Sequence, residues 1–318
     1  MLKSSNVRLI VTIPAYNEEK SIGKVIRSIP RKIKEIDKVE ILVASDGSTD
    51  NTVKEARKAG AEHIVSNKKN LGLAKTFKRA LDGALSLGAD IIVNTDADNQ
   101  YDQREIPKLI KPILEGKADM VIGDRQVEKL DHMPFSKKYG NIFGSWVIRF
   151  LTGANIRDAS SGFRAFTREA AQNFNLLSTH TYTHETIIQA VNRDLAIVEV
   201  PVTFRKREHG QSRLISGVFG HIKRSLTTII RTILMYKAFK YLVALGSLLM
   251  GIGFIGVLRF LYFFFTGNGA GHIQSLIVSS IVISIGFMTT VMGVLADLIG
   301  INRKMVEEIL SKTKDGEK

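Results

Sequence analysis

The chain has 318 residues, no cysteine and a formal net charge of +14, from 45 Lys and Arg against 31 Asp and Glu. That length holds one large domain, or a domain of roughly 200 to 240 residues with an appendage. The lack of cysteine excludes disulfides, thiolate-bound zinc and thiol catalysis, and the positive balance points to a polyanionic partner: nucleic acid, a phosphorylated substrate or an anionic membrane.

No secretory signal is expected at the start, because Met1 to Ser5 is polar and Val7–Ile13 is followed by no small-residue cleavage site. Strand and helix signals then alternate. Apolar, β-rich runs at Val7–Ile13, Val39–Ala44, Glu62–Val65, Asp90–Thr95, Ala118–Ile122 and Ala196–Phe204 predict strands. Amphipathic stretches at Glu18–Ile29, Asp50–Ala59, Ala74–Leu87 and Arg104–Glu115 predict helices between them. This order predicts an α/β domain with a mostly parallel sheet and ligands beyond the carboxyl ends of its strands. No GxGxxG follows the first strand, which disfavours a dinucleotide-binding oxidoreductase.

The predicted strand ends carry the polar residues. The first runs into Pro14-Ala15-Tyr16-Asn17-Glu18, the second into Ser45-Asp46-Gly47-Ser48-Thr49-Asp50, and the fourth into Asp96-Ala97-Asp98-Asn99-Gln100. Two carboxylates at i and i+2, with an amide oxygen two further on, can converge on one hard cation that carries a diphosphate. Alone the triplet is a weak signal, since acidic pairs at strand ends are commonly solvated loop residues or helix caps. His180 and His184 share a helical spacing but lack the order of a zinc motif, so a plain helix face is the better reading.

Further along, Phe135–Leu151 and Val218–Tyr236 interleave apolar residues with Lys and Arg, a pattern suited to a membrane interface. Tyr241 to Leu258 is free of charge, continues past Arg259 to Phe265, and is followed by a second uncharged run, Ile273–Ala296. Each run is long enough to cross a hydrocarbon core of about 30 Å. Nine basic residues between Arg205 and Lys240, against Glu208 alone, put that side and both termini in the cytoplasm. Arg259, near the outer end of its helix, is expected to snorkel.

Taken together, Pro14–Glu18, Asp46–Asp50, Asn70-Leu71-Gly72, Asp96-Ala97-Asp98, Ser161-Gly162-Phe163-Arg164 and Arg207–Arg213 resemble, in their order, the motifs of family 2 glycosyltransferases of the dolichyl-phosphate mannose synthase type. The resemblance covers roughly residues 7 to 215, and the two-helix tail is similar to that of polyprenyl-phosphate sugar synthases. It implies a GT-A catalytic domain at 1–214, an amphipathic interface helix at 215–240, two transmembrane helices at 241–299 and a cytoplasmic tail at 300–318. The implied reaction is inverting transfer of a hexose, mannose from GDP-mannose or glucose from UDP-glucose, to dolichyl or polyprenyl phosphate at the cytoplasmic membrane face. No nucleic acid partner is expected, and a homo-oligomer is left open.

The resemblance also implies the site. Pro14, Ala15, Tyr16, Glu18, Asp46, Asn70, Gly72 and Asp96 would bind the donor nucleotide; many relatives have a second acid where this chain has Ser45. Asp96, Asp98 and Gln100 would hold Mg²⁺ or Mn²⁺, and Asp98, Arg125, Arg164 and Arg207 would carry catalysis. Arg125, Ser161, Arg164, Arg207 and Arg213 would hold the acceptor phosphate, with Ser160 as the alternative serine. A phosphate with its second pKa near 6 is largely dianionic at neutral pH and needs little deprotonation before it attacks, which makes a general base optional. Glu185 stands where relatives using hydroxyl acceptors carry a base; orienting an arginine and capping a helix are its other readings. Two alternatives remain: a membrane-anchored family 2 enzyme with another acceptor, and a non-catalytic nucleotide-sugar-binding scaffold.

Overall fold

The computed structural model describes residues 6–131, 133–176, 182–207, 238–267 and 269–316. The chain divides into two compact units, Met1–Ile229 and Ile230–Lys318. Arg213, His180 and nearly all of the expected interface helix at 215–240 lie outside the described residues.

The first unit is built on seven strands: β1 (Arg8–Ala15), β2 (Lys38–Ser45), β3 (His63–Ser66), β4 (Ile91–Asn94), β5 (Met120–Asp124), β6 (Arg164–Thr167) and β7 (Ile197–Pro201). They form one sheet in the order β3-β2-β1-β4-β6-β5-β7. All pairings are parallel except those of β6, which runs antiparallel to β4, with Ile92 opposite Phe166, and to β5, with Val121 opposite Ala165. Helices cover both faces of such a sheet, so its central strands are apolar at almost every position. Accordingly every residue of β4 and β5 is buried, while the edge strands β3 and β7 are mostly half-exposed.

The helices of this unit are α1 (Ile22–Ser28), α2 (Thr52–Lys58), α3 (Leu73–Ser86), α4 (Ile106–Leu114), α5 (Phe135–Thr152), α6 (Arg168–Gln172) and α7 (Thr183–Asn192). On α4 the buried residues Ile106, Leu109, Ile110 and Ile113 recur at helical spacing and join the core shared with β1, β4 and Phe163. Burying each such side chain contributes about 1.5–3 kcal/mol. Helix α1 starts four residues later than the amphipathic pattern predicts. The amides of Asn17, Glu18 and Glu19 donate instead to Ser48, Thr52 and Asp50 across the neighbouring loop, and Asn17 sits at a φ of 52° that no helix accepts.

The second unit is a helical hairpin of α8 (Ala238–Phe265) and α9 (Ile273–Gly316). Both are long and apolar enough to cross a membrane, α8 over its 28 residues and α9 over Ile273–Asn302. The helices touch on glycine: a Cβ on Gly246 would lie 2.6 Å from Gly286 O, and one on Gly286 would lie 2.7 Å from Gly246 O. Small residues at such crossings let the backbones approach where lipid supplies no hydrophobic drive. Phe254, Ile255, Tyr262, Phe287, Met288 and Ile299 are exposed around the pair, an apolar surface suited to lipid.

Candidate functional site

The site grows from the carboxyl ends of β1, β2 and β4. Asp46 follows β2 and its amide donates to Ala15 O at 2.8 Å, extending the β1–β2 pairing into the loops. Its buried carboxylate accepts from Asn67 Nδ2 (2.8 Å), Leu71 N (2.8 Å) and Gly72 N (2.9 Å), so Asp46 fixes the 67–72 loop. Gly47, at φ 69°, lets that loop close: a Cβ there would meet the Lys69 carbonyl carbon at 2.5 Å. Gly72, at φ 91°, opens α3, and Asn70 Oδ1 accepts from its amide at 3.1 Å. Pro14 and Ala15, at the end of β1, thus adjoin Tyr16, Glu18, Asp46, Asn70 and Gly72, which lie just beyond the strands.

The acidic centre lies beyond β4. Burial raises the Asp96 carboxyl to about 7, and Asp98 pushes it the same way against Arg125 and Arg207. Burial also raises Asp98, against the pull of Arg207. Arg207 pairs with Glu18 Oε1, and its Nη1 is 3.7 Å from Asp98 Oδ2, so one guanidinium links the first loop to the acidic run. Glu18 is steadied by Ser21, whose hydroxyl donates to Oε2 at 2.9 Å. Two under-compensated carboxylates of hard oxygen fit a divalent cation such as Mg²⁺ or Mn²⁺. Among the described residues no cluster of three or more His, Asp or Glu side chains is arranged for a metal. A cation that takes one or two carboxylates and completes its shell with substrate phosphates needs no such cluster. Gln100 donates its side-chain amide to Arg205 O at 3.1 Å and its backbone amide to Asp98 Oδ1 at 3.2 Å, which holds it beside the pair.

The arginines divide into two kinds. Arg125, at the end of β5, gives Nε and Nη2 to Asp158 at 2.6 and 2.7 Å and a further Nη2 hydrogen bond to Ser160 Oγ at 2.6 Å, with its guanidinium 5.2 Å from the Phe204 ring centroid. Arg164 is fully buried. Its donors go to the carbonyls of Ser161, Thr183 and Ala159 and to Thr186 Oγ1, at 2.7 to 2.9 Å, and burial lowers its pKa to about 10. This geometry gives Arg164 a holding task inside the fold in place of the phosphate contact that the resemblance implies. Ser161 is likewise fully buried, its hydroxyl 3.3 Å from Tyr101 Oη, and it is Ser160 that stands beside Arg125. Glu185 is buried in the first turn of α7, 3.4 Å from Gln189 Nε2.

Sequence reasoning missed Asp158, Glu199, Asn94, Tyr101 and Tyr182. Asp158 is the bidentate partner of Arg125, and Glu199 on β7 accepts the amides of Arg157 and Asp158 at 2.8 to 2.9 Å. Asn94 donates to Gly162 O and Tyr182 Oη, and Tyr182 stacks on Phe77 at 3.8 Å between centroids. An acid three residues before Ser161-Gly162 was a visible signal for Asp158, but its pairing across 33 positions was not.

Residues 10–174 match the family described as Glycosyl transferase family 2. The chain belongs to glycosyl transferase family 2. Among its relatives is the dolichyl-phosphate hexose transferase of Haloferax volcanii, 32% identical over 206 residues that cover 65% of this chain and 86% of that protein. The polyprenol monophosphomannose synthase of Mycolicibacterium smegmatis is 29% identical over 222 residues, covering 65% of this chain and 81% of that protein. In fold, this family 2 chain resembles glucosyl-3-phosphoglycerate synthase from Mycobacterium tuberculosis, solved with Mn²⁺, UDP and glucosyl-3-phosphoglycerate: TM-score 0.55, 22% identity, 72% of this chain and 79% of that one. The shared architecture is GT-A, a mixed sheet with helices.

Proposed function

We propose that this family 2 chain transfers a hexose from a nucleoside diphosphate sugar to a polyprenyl or dolichyl phosphate at the cytoplasmic face of a membrane, with inversion at the sugar C1. The carrying observation is the half-buried pair Asp96 and Asp98, with Arg207 beside Asp98 and Arg125 within electrostatic reach of Asp96. Asp96 and Asp98, with Gln100 beside them, would hold Mg²⁺ or Mn²⁺, which when bound supplies charge neutralisation to the departing nucleoside diphosphate. Together Ala15, Tyr16, Asp46, Asn70 and Gly72 take the nucleotide. Arg125, held by Asp158 and Ser160, and Arg207, held by Glu18, present guanidiniums to the acceptor phosphate. Arg213, outside the described residues, is proposed for the same phosphate.

Three features support a lipid acceptor over a soluble one. The two relatives named above carry dolichyl phosphate and polyprenol in their names, and the hairpin offers two candidate spans. On α5 the residues Phe135, Tyr139, Phe143, Trp146 and Phe150 are all more than half exposed, at spacings that place them on one stripe. Such an aromatic stripe suits the boundary of headgroups and acyl chains. Mannose from GDP-mannose is the first choice of donor and glucose from UDP-glucose the second. The test is the full chain in detergent with dolichyl phosphate, Mg²⁺ and each labelled donor. Label should pass to the organic phase with wild-type protein and not with Asp98→Ala; equal transfer by the variant would overturn the assignment of Asp98.

A further inference from the structure

Gly162 is not a glycine for the sake of its backbone. Its φ lies outside the left-handed region, so an L side chain would meet no conformational penalty there. What leaves no room for one is Asp96: a Cβ on Gly162 would lie 2.9 Å from Asp96 Oδ1, 3.0 Å from Oδ2 and 3.2 Å from Cγ. The Asp96 carboxylate therefore borders the space that a side chain on this residue would need.

The peptide it borders is held from every side. The Gly162 amide donates to Tyr101 Oη at 3.0 Å and its carbonyl accepts from Asn94 Nδ2 at 2.8 Å. The flanking carbonyls are also engaged, Ser161 O by Arg164 Nε at 2.7 Å and Phe163 O by the Gly123 amide at 2.8 Å. Asn94, Tyr101 and Arg164 are at most 1% exposed, so none of these bonds exchanges readily with water. Asn94 and Tyr101 flank the acidic run in sequence. The segment that carries Asp96 thus also pins the peptide that Asp96 borders.

We propose that Gly162, clamped by Tyr101 and Asn94, is a positioning wall that sets the Asp96 carboxylate for a divalent cation. This rests on the reading of Asp96 and Asp98 as cation ligands. A methyl group on the wall must displace the carboxylate, because the clamped peptide cannot recede. Loss of the Tyr101 hydroxyl removes the tie on the Gly162 amide while the carbonyl ties remain, which loosens the wall and the carboxylate's seat on it.

The experiment titrates Mn²⁺ into the full chain in detergent with GDP or, separately, UDP present to complete the cation's shell, reading protein-bound Mn²⁺ by electron paramagnetic resonance, with melting temperatures measured alongside. Wild type should bind and Asp96→Ala should not. Gly162→Ala should weaken Mn²⁺ by about tenfold or more, the scale of residues that orient a metal ligand, while melting close to wild type. Tyr101→Phe should weaken it by a smaller factor, and it decides alone if Gly162→Ala does not fold. Wild-type Mn²⁺ affinity in both variants, with Asp96→Ala defective, overturns the wall and leaves the cation reading standing. Equal binding by wild type and Asp96→Ala, or none by wild type, overturns the cation reading and the wall with it.

Discussion

Asp98 and Asp158 are both carboxylates close to arginine, and their surroundings give them opposite tasks. Burial raises the Asp98 carboxyl above its ordinary value, with Arg207 pulling it down. Burial works against Asp158 as well, but the Arg125 guanidinium beside it holds its carboxyl below the ordinary range. Asp98→Ala is expected to lower the rate of hexose transfer by about 10²- to 10³-fold, the scale for losing one element of leaving-group stabilisation, with the melting temperature little changed. Asp158→Ala should instead destabilise the first unit by about 3–5 kcal/mol, since it strands a buried guanidinium, and denaturant unfolding will show it. Sequence order alone carried the acidic run, the 14–18 loop and the arginines. It could not tell Arg125 from Arg164, because the difference is whether the donors meet a carboxylate and a hydroxyl or a ring of backbone carbonyls.

Among the elements, the strongly periodic ones were legible. The six predicted strands correspond to β1, β2, β3, β4, β5 and β7, and the four helices between them to α1 through α4, with shifts at their ends. Strand β6 was not, because its four residues, Arg164 to Thr167, carry a charged side chain that only the buried carbonyl ring accommodates. Edge pairing on the other side of the sheet is reinforced by charge. Burial alone would raise Glu40 on β2, but hydrogen bonds from His63, Arg8 and Lys38 outweigh it and hold its pKa at about 2. A depressed carboxylate stabilises the fold above its unfolded pKa and loses that contribution as pH falls through its folded one. Glu40 should therefore add stability fully present above the unfolded value of 4.5 and lost on approach to pH 2. Glu40→Gln is expected to show a shallower fall in unfolding free energy than wild type across that window. On α5, Trp146 is the only tryptophan in the chain and is 52% exposed. In proteoliposomes with brominated lipid its fluorescence should be quenched; emission unchanged by bromine would remove α5 from the interface.

At the scale of the whole molecule, a family 2 domain and an apolar hairpin share one chain. The hairpin was legible because uncharged runs of this length have few other uses, and the domain because its motifs keep their order. The hydrogen-bonded interior around Gly162 was illegible, since its partners are far apart in sequence and polar only in ways that burial reveals. In the proposed function a lipid phosphate displaces the nucleoside diphosphate from the sugar. Nucleoside diphosphate release by the full chain in detergent, with and without dolichyl phosphate, tests this most directly. Release from donor alone should be slow and should rise about 10²-fold or more on adding the lipid phosphate, as expected when the attacking group is held in place. Release at the same rate with and without the lipid would contradict it.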